Sequence, residues 1–149
     1  MLPTQLRKIN VNVRSPPGIQ VAMSSLIFDS QEVVPAVVQD RESGRVLLLG
    51  YMSHAALEAT YQTGLLHLWS RSRQRIWLKG ERSQHYQEVQ DIRVNCENNS
   101  ILILVRQMGP ACHKGYETCF YRRLSSDGSS TVLEPRVFNP TDVYGTDGN

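Results

Sequence analysis

The 149-residue sequence has no Cys-x-x-Cys pair, no apolar run approaching a membrane span, and no long block of one charge. Without closely paired cysteines it does not look like a standard zinc finger, whose closed site draws its four ligands from such pairs. "ILILV" at 101–105, among the longest apolar stretches, is far short of the roughly 20 residues that cross a bilayer, so no membrane partner is expected. Sixteen basic and fourteen acidic residues leave a formal charge of only +2, too little to argue for nucleic acid. Three cysteines are an odd number, and no stretch joins a basic start, an apolar run and a small-residue cleavage site. A secreted disulfide framework is therefore not expected, and a reducing, cytoplasmic setting is. The first 28 residues carry Arg7, Lys8 and Arg14 but no acid, a composition weakly like that of a transit peptide.

What is present is enough for one core. With 40% apolar residues the chain can bury a single sizeable domain, and no internal repeat divides it. Residues 1–30, interrupted by "SPPG", read as an arm or leader; 31–124 read as the packed domain. Residues 125–149, rich in Ser, Pro, Gly and Asp, read as a polar tail, disordered or extended. "VVPAVVQD" and "RVLLLGYM" flank "RESG" as a hairpin, with Pro35 placing its strand near an edge or a start. Ser53 is an N-cap for "HAALEATYQT", whose Ala56, Leu57 and Tyr61 repeat at helical spacing, and Gly64 ends the helix. "LLHLWSR", "RIWLKG", "YQEVQDIRV" and "SILILVRQ" read as strands, the third with imperfect alternation around Val89, Asp91 and Arg93. "CFYRRL" reads as a last apolar piece. The class is α+β, a mainly antiparallel sheet with one or two short helices.

"GPACHKGYETC", residues 109–119, gathers Cys112, His113 and Cys119 among Gly, Lys and Thr. A lone cysteine is most often a small buried hydrophobe, and Cys96 taken by itself fits that as well as anything else. Core packing explains Cys112 and Cys119 poorly, because they are not embedded in an apolar run. A thiol nucleophile needs a base, but chain neighbours such as Cys112 and His113 usually point apart. Three thiolates also suit a catalytic zinc, which keeps three protein ligands and an open fourth position. His113, with an ordinary pKa of about 6.5, would handle a proton beside such a site or stand on the surface. His67 shares a strand face with Leu65 and Trp69 and is as well explained by packing. His54 opens a helix and should be exposed, and His85 lies in a polar loop that decides nothing.

"WSRSRQRIWLKGERS", residues 69–83, carries Arg71, Arg73, Arg75, Lys79 and Arg82 among hydroxyls and two tryptophans. Guanidinium groups, lysine and serine hydroxyls are what a phosphorylated ligand needs, although a solvated hairpin edge has the same composition. The tryptophans stack on a base or fill the core.

Five blocks, "VVPAVVQDRESGRVLLLGYM", "HLWSRSR", "WLKGERS", "VNCENNSILILV" and "GPACHKGYETCFYR", stand in an order and spacing that resembles the phosphoribosyl-AMP cyclohydrolases of histidine biosynthesis, from about Val33 to Leu124. The resemblance implies an intertwined homodimer that hydrolyses the purine ring of 1-(5-phosphoribosyl)-AMP between N1 and C6, giving the formimino-aminoimidazole carboxamide ribonucleotide. It implies zinc on Cys96, Cys112 and Cys119, the first from one subunit and the other two from its partner, with His113 managing protons. It implies substrate contacts from Trp69, Ser70, Arg71, Arg73, Trp77, Lys79 and Ser83.

The family usually shows Asp-Cys-Asp-x-Asp around the first cysteine, its carboxylates holding magnesium. Here Asn95, Cys96, Glu97, Asn98 and Asn99 stand instead, which implies a weaker magnesium site at Asn95, Glu97 and Asn99 that leans on substrate phosphates. Arg82, Gln84 and Lys114 also replace residues common in the family. The altered acidic run keeps a second reading open, a zinc-stabilised binding module of the same fold without the chemistry. A third is a zinc hydrolase of another purine nucleotide; the H-x-E and P-C-x-x-C deaminase signature is absent. The 25 residues after Leu124 are too few and too polar for the pyrophosphohydrolase domain fused to some relatives.

Overall fold

A computed structural model describes residues 24–145. The expected arm up to residue 23, with its transit-like composition, lies outside the described residues. In chain order the elements are β1 Val33–Asp40, β2 Val46–Ser53, α1 His54–Thr63, β3 His67–Ser70 and β4 Arg75–Leu78. They continue with β5 Gln87–Val94, β6 Ile101–Gln107, β7 Arg122–Leu124, β8 Ser130–Val132 and α2 Pro140–Tyr144.

The expected α+β class holds. The main sheet has the order β2-β1-β6-β5, and two small hairpins, β3-β4 and β7-β8, stand apart from it. Adjacent pairs are antiparallel except β1 with β6, which run parallel. β6 is the apolar run "ILILVRQ", and an interior strand covered on both faces needs such continuity rather than strict alternation. β1 is interior too, so Pro35 is not on an edge. It sits at a start instead: the β6 ladder begins at Ala36, so no β6 bond requires the amide hydrogen that proline lacks.

α1 forms as its ends dictate. Ser53 Oγ accepts from the Ala56 amide at 3.2 Å, and Gly64, at φ 73°, takes the left-handed turn that ends the helix and donates to Thr60 O. Ala56, Leu57 and Thr60 face the core, while Tyr61 is half-buried. Thr60 is tolerated there because its hydroxyl donates to Ala56 O at 2.8 Å and accepts from the His67 amide at 3.0 Å, tying α1 to β3. The uneven alternation in β5 has a cause in the pairing: the register with β6 shifts between Val89 and Asp91, a bulge that leaves Gln90 over.

The end of the chain departs from expectation. "CFYRRL" does not close the core, since Phe120 is 56% and Leu124 78% exposed. Residues 125–145 are not shapeless either; they carry β8 and α2, and Leu133 N donates to Tyr121 O at 2.8 Å. Polarity hid this order, which comes from backbone and charge pairing rather than burial. Among the described residues no helix is long and apolar enough to cross a membrane.

Ile103, in the middle of β6, is fully buried among Val38, Leu47 and Val105 of the core. Ile103→Ala should lower the free energy of unfolding by about 2–5 kcal/mol, read from a urea titration.

Candidate active site

The cysteine loop is built on β2. Thr118 Oγ1 donates to Val46 O at 2.7 Å and the Cys119 amide donates to Leu47 O at 2.7 Å. Across the loop Ala111 N donates to Glu117 O and Cys112 N to Tyr116 O, which folds Cys112 back toward Cys119. The Cys112 thiol lies close enough to Cys119 to act on its ionisation. Cys112 is buried; Cys119 is exposed as a residue, yet its sulfur is sheltered against its partner. That shelter, followed by the charge of Cys112, pushes the Cys119 thiol up to about 12, with Lys79 pulling the other way. Lys79 is buried, and its ammonium lies below its ordinary pKa because burial outweighs the pull of the two thiols. His113, exposed as a residue, is also lowered, by partial desolvation of its ring and then by Lys114 and Lys79, which favours the neutral imidazole.

Cys96 does not join this pair. It is exposed in the turn between β5 and β6, and no group of three or more His, Cys, Asp or Glu side chains converges among the described residues. In the same turn Asn95 Oδ1 accepts from the Asn99 and Ser100 amides at 2.9 and 3.0 Å, and Asn95 Nδ2 donates to Asn99 Oδ1 at 2.7 Å. Both asparagine oxygens are thus engaged in holding the turn, leaving Glu97 as the carboxylate of the run.

A cavity of about 550 Å³ opens between the β3-β4 hairpin, the cysteine loop and the C-terminal segment. Ser70, Arg73, Trp77, Lys79, Ser83 and His113 line it, so six of the expected site residues meet in one place. Trp69 and Arg71 are not among its lining. Trp69 pairs with Ile76 across the hairpin, on the opposite face from Ser70 and Trp77. Arg71 lies 3.8 Å over the Tyr51 ring and lines a separate depression with Gln31 and Gln74.

Sequence reasoning missed the third wall, to which Arg136, Asn139, Thr141 and Tyr144 contribute. A local signal was there: Asn139 before Pro140 is an N-cap with proline opening the helix, and Asn139 Oδ1 accepts from the Thr141 amide at 3.1 Å. The remaining histidines are not among the lining of the cavity. His67 Nδ1 is 2.9 Å from Leu65 O, exposed His54 stacks on Phe28, and His85 packs edge-on against Phe138.

Lys79 yields a test in the metal-free chain. Below its folded pKa the ammonium is charged in both states and its burial costs stability in full. As pH climbs from there to the ordinary 10.5 the folded chain sheds the proton first, and the cost fades. Lys79→Met should therefore stabilise the chelator-treated protein at pH 7 by about 1 kcal/mol or more. In urea titrations that gain should shrink as pH approaches 10.5.

A sequence model of the family described as phosphoribosyl-AMP cyclohydrolase matches residues 48–121, a span that holds β3, β4 and the whole cysteine loop. A phosphoribosyl-AMP cyclohydrolase of Natronomonas pharaonis is 49% identical over 119 residues, 80% of this chain and 96% of its own length. One from Chlorobium phaeovibrioides is 43% identical over 123 residues, 83% of this chain and 90% of its own. Another, from Methanosarcina barkeri, is 51% identical over 112 residues, 75% of this chain and 84% of its own. Identity at this level over nearly the full length of the relatives places the chain in the phosphoribosyl-AMP cyclohydrolase family.

Proposed function

We propose that this chain is a hydrolase of histidine biosynthesis that opens the purine ring of phosphoribosyl-AMP between N1 and C6. The observation that carries this reading is the meeting of His113, Lys79 and the hairpin residues on one cavity, beside a pair of thiols, in a member of that family.

Five cations line the cavity, Arg73, Lys79, Arg82, Lys114 and Arg136. Its one acid, Glu81, is 2.8 Å from Arg75 and so already partnered. Such a surface suits a nucleotide with a phosphate at each end. Trp77 offers a flat face to a purine, and Ser70 and Ser83 offer hydroxyls to sugar or phosphate. Kept neutral, His113 is able to take the proton of a water adding to C6 and return it to N1 as that bond breaks.

Two soft thiols close enough that Cys112 raises the cost of ionising Cys119 fit a divalent soft cation that would relieve that cost. Zinc held by Cys112 and Cys119, with Cys96 of a second copy as third ligand, would supply polarisation of the attacking water. The separation of Cys96 from the pair within one chain favours a site shared in an intertwined homodimer. Exposed Leu49, Val94 and Phe120 are apolar surface that a second copy would cover. A cytoplasmic setting belongs to the same proposal, since the three cysteines are free thiols. For magnesium, the engaged asparagine oxygens do not make a three-oxygen site with Glu97, so we assign that ion only a weak place there, completed by substrate phosphate, and no step.

Purified protein supplied with zinc should convert phosphoribosyl-AMP with a spectrophotometric change, and Cys112→Ser or Cys119→Ser should remove both zinc, by elemental analysis, and turnover. Bound zinc without turnover in the native chain would favour the binding module. Turnover of a different purine nucleotide alone would favour the third reading.

Sharing of the site has its own test. Cys96→Ser and Cys112→Ser proteins, each inactive, should regain part of the activity after subunit exchange, because one of the mixed sites then holds every thiol. No recovery after demonstrated exchange would refute it.

A further inference from the structure

The C-terminal wall of the cavity is fastened with more care than a polar tail requires. Arg45 reaches Glu117 of the cysteine loop at 2.9 Å and Glu134 at 2.6 Å, bridging the two. Leu133 N donates to Tyr121 O, and Val137 N donates to Gly115 O, both at 2.8 Å. Gly115, at φ 97°, is required there, since a Cβ would stand 2.5 Å from Phe138 O. Beyond, Phe138 meets His85, and Arg82 lies 5.5 Å from the Tyr144 ring while its Nη2 reaches Tyr144 O at 3.4 Å.

Arg136 sits between the fixed residues Glu134 and Val137 and lines the cavity. Its guanidinium lies 5.7 Å from the Tyr116 ring, and Tyr116 is in turn stacked on Tyr121 at 3.5 Å. Among the described residues no carboxylate is within ion-pair distance of it, although five acid-base pairs form elsewhere. An arginine held by its neighbours on both sides, braced on an aromatic face and left without an anion has its donors free for a ligand.

We propose that Arg136 is a substrate-binding residue of this site, holding one of the two phosphate groups of the nucleotide, and that residues 133–145 are a preformed wall serving that contact. The proposal rests on the hydrolase reading and adds to it a residue outside the span 48–121 that the family model matches. A charge-assisted hydrogen bond of this kind is worth about 1.5–3 kcal/mol, which corresponds to roughly a 10–100-fold change in binding.

Steady-state kinetics with phosphoribosyl-AMP on native protein, Arg136→Ala, Arg136→Lys and the exposed control Arg123→Ala test it. KM should rise roughly 10-fold or more in Arg136→Ala with kcat held within about threefold. Arg136→Lys should recover part of the loss, Arg123→Ala should match the native chain, and thermal unfolding should be unchanged. An unchanged KM in folded Arg136→Ala overturns the proposal. So does a loss of kcat that follows a fall in melting temperature and is as large in Arg136→Lys. If Arg136→Ala does not fold, the comparison of Arg136→Lys with Arg136→Met decides by the same criteria. If the native chain does not turn over phosphoribosyl-AMP, the hydrolase reading fails by itself, and calorimetry with AMP and with ribose 5-phosphate judges Arg136. A roughly tenfold weaker affinity for either in Arg136→Ala sustains it, and equal affinities for both overturn it.

Discussion

The hydrogen bonds from Thr118 and Cys119 to the carbonyls of Val46 and Leu47 decide where everything reactive in this protein stands. They graft a loop with little core of its own onto an edge strand of the main sheet. The bonded residues are buried at Thr118 and Leu47, where water does not compete for the partners. One residue earlier in the chain, Arg45 ties the same loop to the C-terminal segment. The start of β2 thus fixes two of the three walls of the cavity, and the β3-β4 hairpin, joined to β5 through Leu66 and Gly64, supplies the third.

Electrostatics inside that frame are unbalanced by design of the residues present. A buried ammonium beside two thiols is costly in the metal-free chain, and the cavity adds further cations with one acid that is already paired. Folding alone does not repay such an arrangement. Ligands do: an anion in the cavity and a soft cation on the sulfurs each relieve part of it, and because the donors are already in place, little reorganisation is needed when charge shifts during reaction.

Local features of the fold were legible in the chain because their causes are local. Ser53 and Gly64 bound α1 by their own hydrogen bonding and φ, and the uneven pattern at Val89 to Arg93 was the trace of a bulge. What could not be read depends on partners far away in sequence. The parallel neighbour of β1 is chosen by packing two apolar strands that lie more than sixty residues apart. Trp69 and Trp77 look alike in the sequence, and only the hairpin register sends one of them to the cavity. Within the site, the family blocks pointed to Ser70, Arg73, Trp77, Lys79, Ser83 and His113, which do meet. They gave no hint of Arg136, whose setting is made by Gly115 and Arg45. Hydropathy is silent about order that comes from polar pairing.

The contact between Gly115 and residues 137–138 also constrains how the chain can vary in length. From Cys119, pinned on β2, the backbone must travel out along β7, back along β8, and reach Gly115 again with Val137 in place. An inserted residue on one arm of that hairpin would shift the return path and slide Val137 out of register. Matched additions, one on each strand, would leave it where it is. The exposed turn at Ser125–Ser129 is therefore free to grow or shrink symmetrically, while Gly115 admits no side chain at all. Relatives with longer or shorter hairpins would thus be expected to vary at the turn or by matched additions to both strands, not by a single insertion within one arm.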